Sequence, residues 1–207
     1  MKINDELAEL GRCRAKTLEL IESLNQHQFD YSPGSDRWSV GEVLHHLFLT
    51  EKTYRDDMAK LVELKKSGKR SVVRRSFSEI DLRFFFLPEF VLRLGEIPME
   101  IFTRLMPREI RDYLIRNRLI PFQNPSISAP RKGIARDELR RMLTASLGET
   151  EKLIRSNPSL NYDSMIHKHP ILGINTVPQL VRIQSLHEER HQSQIKEIKN
   201  HRDFPSA

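Results

Sequence analysis

The sequence predicts an all-α protein: a four-helix bundle with a long, irregular, partly helical insertion between its second and third helices. Three observations carry this. Apolar residues recur at helical spacing in four separate segments, and two of those segments open with a capping-box pattern. Period-2 alternation, the mark of a half-buried strand, is almost absent.

The first helix is expected over about residues 5–25. Leu7, Leu10, Leu18, Ile21 and Leu24 recur there at helical spacing, and Asn4 or Asp5 can cap the start. Asp30 to Asp36 holds Ser, Pro, Gly and Asp in succession and reads as a loop. Ser39-Val40-Gly41-Glu42 has the capping-box form, so a second helix runs over about 39–65 through Val43, Leu44, Leu47 and Tyr54. Lys65 and Lys66 suit its C-terminus. A third helix fits 136–156, with Leu139, Met142, Leu143, Leu147 and Ile154 on one face and Asn157-Pro158 ending it. His169 to Asn175 is expected to be a loop. Thr176-Val177-Pro178-Gln179 then opens a fourth helix over 176–200, a capping box with Pro in the first turn.

A chain of 207 residues with 38% hydrophobic residues fits one domain over 1–207. Its single cysteine, Cys13, excludes a disulfide framework and any cysteine-rich zinc module, and reads as a core or surface residue. No apolar run approaches the roughly 20 residues a bilayer requires. The opening Met1 to Glu6 is too polar and acidic for a signal peptide, so a cytoplasmic location is expected. The net charge of +6 is unevenly spread. Residues 65–132 hold 15 Lys/Arg against seven Asp/Glu, and the remaining residues hold 19 against 21. Basicity is a property of the insertion, which weakens a general nucleic-acid reading. The insertion is cut by Pro98, Pro107, Pro121, Pro125 and Pro130 and carries Phe84-Phe85-Phe86 beside Arg83 and Arg93.

The strongest chemical signal is His187-Glu188-Glu189-Arg190-His191. Histidines four apart stack on one helix face, close enough to share a metal ion. At 100° per residue both fall within the core-facing stripe of Leu180, Ile183, Ile195 and Ile198, together with Gln184 and Gln194. Imidazoles there need partners, which a metal or other core polar groups can supply. The zinc-protease reading of H-E-x-x-H is disfavoured, because its longer form needs Gly and His where the chain has Gln194 and Glu197. In the second helix His46 flanks the apolar stripe, whereas His45 points nearly away from it and reads as a surface residue. Glu42, four before His46, either orients that imidazole or serves only as the capping-box acid.

Trp38-Ser39-Val40-Gly41-Glu42-Val43-Leu44-His45-His46-Leu47, then His169-Pro170-Ile171-Leu172-Gly173, then His187 and His191 on a terminal helix together resemble the DinB/YfiT-like family. The resemblance covers about residues 1–64 and 133–200, and 65–132 depart from it. It implies a four-helix bundle in which His46, His187 and His191 bind a divalent metal, commonly zinc or nickel; by their own positions on the helices Glu42, Gln184 and Gln194 are candidates to support the ligands. It implies either a thiol S-transferase using a low-molecular-weight thiol or a metal-dependent hydrolase, acting on a small electrophilic substrate. Such a thiol would come from outside the chain. Arg74, Arg75 or Arg83 could hold an anionic thiol or substrate, and a homodimer is a further expectation. The competing reading is a binding module that sets the basic, Phe-rich insertion against an anionic partner or membrane surface.

Overall fold

The computed structural model describes residues 2–75, 107–117, 128–169 and 172–206. Six α-helices are described: α1 (Ile3–Ile21), α2 (Gln26–Asp30), α3 (Val40–Lys66), α4 (Arg108–Arg116), α5 (Arg136–Arg155) and α6 (Val177–Lys199). Four of them close a ring. α1 packs on α5 and α6, and α3 packs on the same two, giving the four-helix bundle that the sequence predicts. α2 leans on α3, and α4 docks along α6. No described helix is long and apolar enough to cross a membrane.

Both capping boxes form. Ser39 Oγ accepts the Glu42 N–H at 3.2 Å while Glu42 Oε2 accepts the Ser39 N–H at 2.9 Å, and Thr176 and Gln179 do the same for α6. α1 starts earlier than expected, with Lys2 at its N-cap and no side-chain cap from Asn4 or Asp5. The first helix also stops at Ile21 rather than Asn25. Asn25 caps the separate α2, its side chain accepting the Gln28 N–H at 2.9 Å. Gly41 stands where α3 passes the fully buried Phe29 of α2, and a Cβ there would lie 2.8 Å from the ring.

A small sheet corrects the expectation of loops. β1 (Val72–Arg74) pairs in parallel with β2 (Ile166–His169), which pairs antiparallel with β3 (Gly173–Thr176). It was illegible because its buried positions include His167, Gly173 and Asn175 rather than a run of apolar side chains. Asn175 is held inside by Arg111 of α4, which donates to its Oδ1 at 3.1 Å. Arg75, a candidate anion binder, instead makes two 2.8 Å bonds to Asp57 of α3. Arg83, Phe84, Phe85, Phe86 and Arg93 lie outside the described residues.

The core comes in two apolar clusters. One gathers Leu7, Leu10, Tyr54, Met58, Leu61, Leu180 and Leu186 at the sheet end. The other gathers Ile21, Val43, Leu44, Leu47, Leu139, Leu143, Ile195 and Ile198 at the opposite end. Between them a polar layer crosses every bundle helix: Arg14 and Thr17, then Thr50 and Glu51, then Ser146 and Thr150, then His187, Glu188, His191 and Gln192. Arg14 ties it together. Its Nε meets Glu188 Oε1 and its Nη2 meets Glu51 Oε2, both at 2.8 Å, and Nη1 donates to the Leu143 carbonyl. Thr150 donates to Glu51 Oε1 at 3.3 Å, and Gln192 donates to the Cys13 carbonyl at 2.8 Å.

Candidate metal centre

Three imidazoles meet where α3 faces α6 at this polar layer. The capping box fixes the start of α3, and so the direction in which His46, nearly two turns on, projects. His187 and His191 are one turn apart on α6. His46 Nε2 lies 3.3 Å from His187 Nε2, which lies 3.1 Å from His191 Nε2. One ligand atom from each residue falls within 4.8 Å of the others. His46 and His191 are buried and His187 is half-buried.

The outer nitrogens are also engaged. His46 Nδ1 meets the Ser128 carbonyl at 2.9 Å, and His191 Nδ1 meets Gln194 Oε1 at 2.8 Å. Both oxygens accept only, so each imidazole carries its proton on Nδ1 and presents an Nε2 lone pair inward. Two lone pairs thus face His187 Nε2, which can supply one proton at most. At least one of the two close N···N contacts has no hydrogen between its atoms. A cation satisfies all three nitrogens together. Bonds of 2.0–2.1 Å at a tetrahedral angle put ligand nitrogens about 3.3 Å apart, close to the spacings found. The residues present therefore fit a divalent metal.

Burial holds the imidazoles of His46 and His187 neutral, as ligands must be. It pushes His46 down to about 4, with the charges of Arg190 and His45 adding and the Ser128 carbonyl partly opposing. His187 lies well below its ordinary value for the same reason, helped by His191 and His46. Trp38 walls one side, its ring centroid 4.9 Å from that of His46 and 6.3 Å from that of His191.

The expected supporting residues divide. Gln194 orients His191. Glu42 is engaged by the Ser39 N–H at the helix start, and the Ser128 carbonyl takes the outer nitrogen of His46. Gln184 is buried at 5% exposure, and its Oε1 has no partner among the described residues. His45, read as a surface residue, is 6% exposed because Arg131 crosses it and donates its backbone N–H to His45 Nδ1 at 2.8 Å. Glu188, the base of an H-E-x-x-H protease, has both oxygens on Arg14. Cys13 is buried, and burial followed by the charges of Glu189, Glu188 and Glu9 pushes its thiol up to about 12. Glu9, Cys13 and Glu189 also approach one another, but Arg12 and Arg116 pair the two carboxylates.

A family model for the DinB superfamily matches residues 9–195. The chain belongs to the DinB superfamily. The comparison with curated proteins gives no match. Among solved structures the chain is similar to one described as "YfiT from Bacillus subtilis is a probable metal-dependent hydrolase with an unusual four-helix bundle topology". Identity is 15% and the TM-score 0.56, over 99% of this chain and 89% of that one, a likeness of fold. The ring of four helices is thus a DinB-type scaffold. Sequence reasoning missed the Ser128 carbonyl and the Arg14–Glu51–Glu188 group. A signal for the latter existed: Arg14 and Glu51 are charged residues at apolar-stripe positions of their helices.

Proposed function

We propose that this DinB-type bundle holds one divalent cation, zinc or nickel, on His46, His187 and His191. It uses that cation on a small electrophilic substrate, in hydrolysis or in transfer of an external thiol. One observation carries the reading: two imidazoles with Nδ1 bound to oxygen acceptors aim their lone pairs at a third nitrogen. When bound, a divalent cation on three neutral nitrogens supplies Lewis acidity and makes a nucleophile from water or thiol at neutral pH. The chain's own groups prepare for this. Ser128 and Gln194 fix the two imidazole planes, burial keeps His46 and His187 unprotonated, and Trp38 keeps water from one side. The buried Cys13 thiol is a poor nucleophile, so a thiol consumed in the reaction is external. The likeness to YfiT, described as a probable metal-dependent hydrolase, supports the hydrolytic branch.

The test is metal content, by mass spectrometry, of the purified protein and of His46→Ala and His187→Ala after loading with zinc or nickel. Wild type should carry one ion per chain. Each variant should lose more affinity than the roughly 10–100-fold that loss of an outer partner costs. A wild-type protein that retains neither metal refutes the proposal. Turnover of esters and amides against thiol consumption with alkylating electrophiles then separates the two branches.

A further inference from the structure

Each imidazole of the centre has an outer nitrogen as well as an inner one. For His46 the outer nitrogen meets the Ser128 carbonyl, and for His191 it meets Gln194 Oε1. His187 differs. Both of its close contacts are made by Nε2, toward the other two rings, and its Nδ1 has no partner among the described residues. His187 also lines a cavity of about 10 Å³ between α1, α3 and α6. That is room for one water and for nothing larger. Leu10 and Leu47 form its apolar sides, and Arg14, Glu51 and Glu188 form a charged wall already bonded within itself. Two further polar atoms are left over. Gln184 Oε1 and Thr50 Oγ1 are buried and have no partner among the described residues, and both residues line the same cavity. The orientation of the Gln184 amide is set by its own helix, since its Nε2 donates to the Leu180 carbonyl at 3.4 Å, so Oε1 is an acceptor in need of a donor. A buried space of this size takes up a water when about two to four polar groups surround it, and an imidazole, an amide and a hydroxyl do so here.

We propose that one ordered water in this cavity is the outer partner of His187, and that Gln184 and Thr50 are positioning residues that hold it there. The proposal rests on the metal reading for the use of His187 as a ligand, but the water site stands on its own groups. Water donates as well as accepts, and this sets His187 apart. Ser128 and Gln194 present oxygens that only accept, which keeps the protons of His46 and His191 on Nδ1 throughout. With the centre empty, two lone pairs face His187 Nε2, so the His187 proton sits on Nε2 and the water donates to Nδ1. With a cation held on the three inner nitrogens, Nε2 gives its proton up to solvent, Nδ1 takes one from the water, and solvent returns one to the water. His187 is neutral before and after, and its proton has changed nitrogen. In both states the water donates to Gln184 Oε1 and takes the Thr50 hydroxyl as its third contact. One adaptable imidazole between two fixed ones leaves the centre satisfied whether or not it is loaded.

The experiment uses the full chain, metal-free and loaded with zinc. Crystal structures of both forms should show a water within about 3.2 Å of His187 Nδ1, Gln184 Oε1 and Thr50 Oγ1. Nitrogen NMR of histidine-labelled protein should find the His187 proton on Nε2 in the metal-free form and on Nδ1 in the zinc form. The protons of His46 and His191 should stay on Nδ1 in both, each signal being assigned by its loss from the corresponding alanine variant. Thr50→Val and Gln184→Leu should each lower zinc affinity about tenfold, the low end for removal of an outer partner, and Thr50→Ser should keep wild-type affinity. A dry cavity, a water out of reach of Nδ1, or a His187 proton that does not move in zinc-bound protein overturns the proposal. So does wild-type zinc affinity in both Thr50→Val and Gln184→Leu. Failure to bind zinc, with the water in place and the His187 proton on Nε2, removes the metal reading and leaves the water assignment standing.

Discussion

Arg14→Met is the sharpest structural test of the polar layer. The guanidinium and the two carboxylates it joins are each 3% exposed or less. Burial alone would lower the pKa of Arg14, but Glu188 and Glu51 raise it above its ordinary value, so the cation is secured by its partners. Methionine has similar length but no charge, and it strands both carboxylates without their counter-ion. Breaking a buried ion pair from one side costs about 3–5 kcal/mol. An unfolding entropy of about 2.1 cal/mol/K per residue over 207 residues converts this to a fall in Tm of about 7–12 °C. The assay is thermal unfolding followed by circular dichroism. Adding Glu51→Gln and Glu188→Gln to Arg14→Met should recover more than half of the loss, because the stranded charges are gone. A single variant within about 2 °C of wild type, or a triple variant no better than the single, refutes the view that the layer is held by charge pairing.

Four further outcomes follow from the same structure. Metal affinity should resist mild acid: three ordinary imidazoles lose about 50-fold between pH 7.5 and 6, whereas depressed His46 and His187 make that loss about 14-fold smaller, read by competition with a chelator. The sign follows from proton competition, which begins only as pH falls through a histidine's own pKa. Gly41→Ala should destabilise by about 1 kcal/mol in urea unfolding, as overpacking against Phe29 outweighs better helix propensity. The exposed helical Gly148, with nothing within 4 Å of an added Cβ, should instead gain about 0.5–1 kcal/mol as Ala. Cys13 should react with a disulfide reagent at pH 8 about 10³-fold more slowly in the folded protein than in denaturant, since burial withholds the thiolate.

What could be read in the sequence was periodic or local. The four bundle helices follow from apolar spacing, and the two capping boxes place the starts of α3 and α6 to the residue. The wheel that sets His187 and His191 on the α6 core stripe also sets His46 at the edge of the α3 stripe, and these three do converge. The same arithmetic misplaces His45. A helical wheel knows only its own helix, and the strand of chain around Arg131 that buries His45 returns 86 positions later. The Ser128 carbonyl was hidden for the same reason, and a backbone oxygen carries no residue identity. The sheet escaped notice because strands of three or four residues with His, Gly and Asn at buried positions resemble a turn.

The polar layer joins partners made at very different times. Arg14 meets Glu51 after 37 positions but Glu188 only after 174. At about 5–20 residues per second, a ribosome takes roughly 7–27 s to synthesise the 137 residues from Glu51 to Glu188. For that interval α1 and α3 carry apolar faces and a charge group lacking one of its two carboxylates. His46 is then a lone imidazole, with the other two candidate ligands not yet made. The nascent chain cannot bring the three histidines together early, so they meet only in the finished bundle, after α6 has docked.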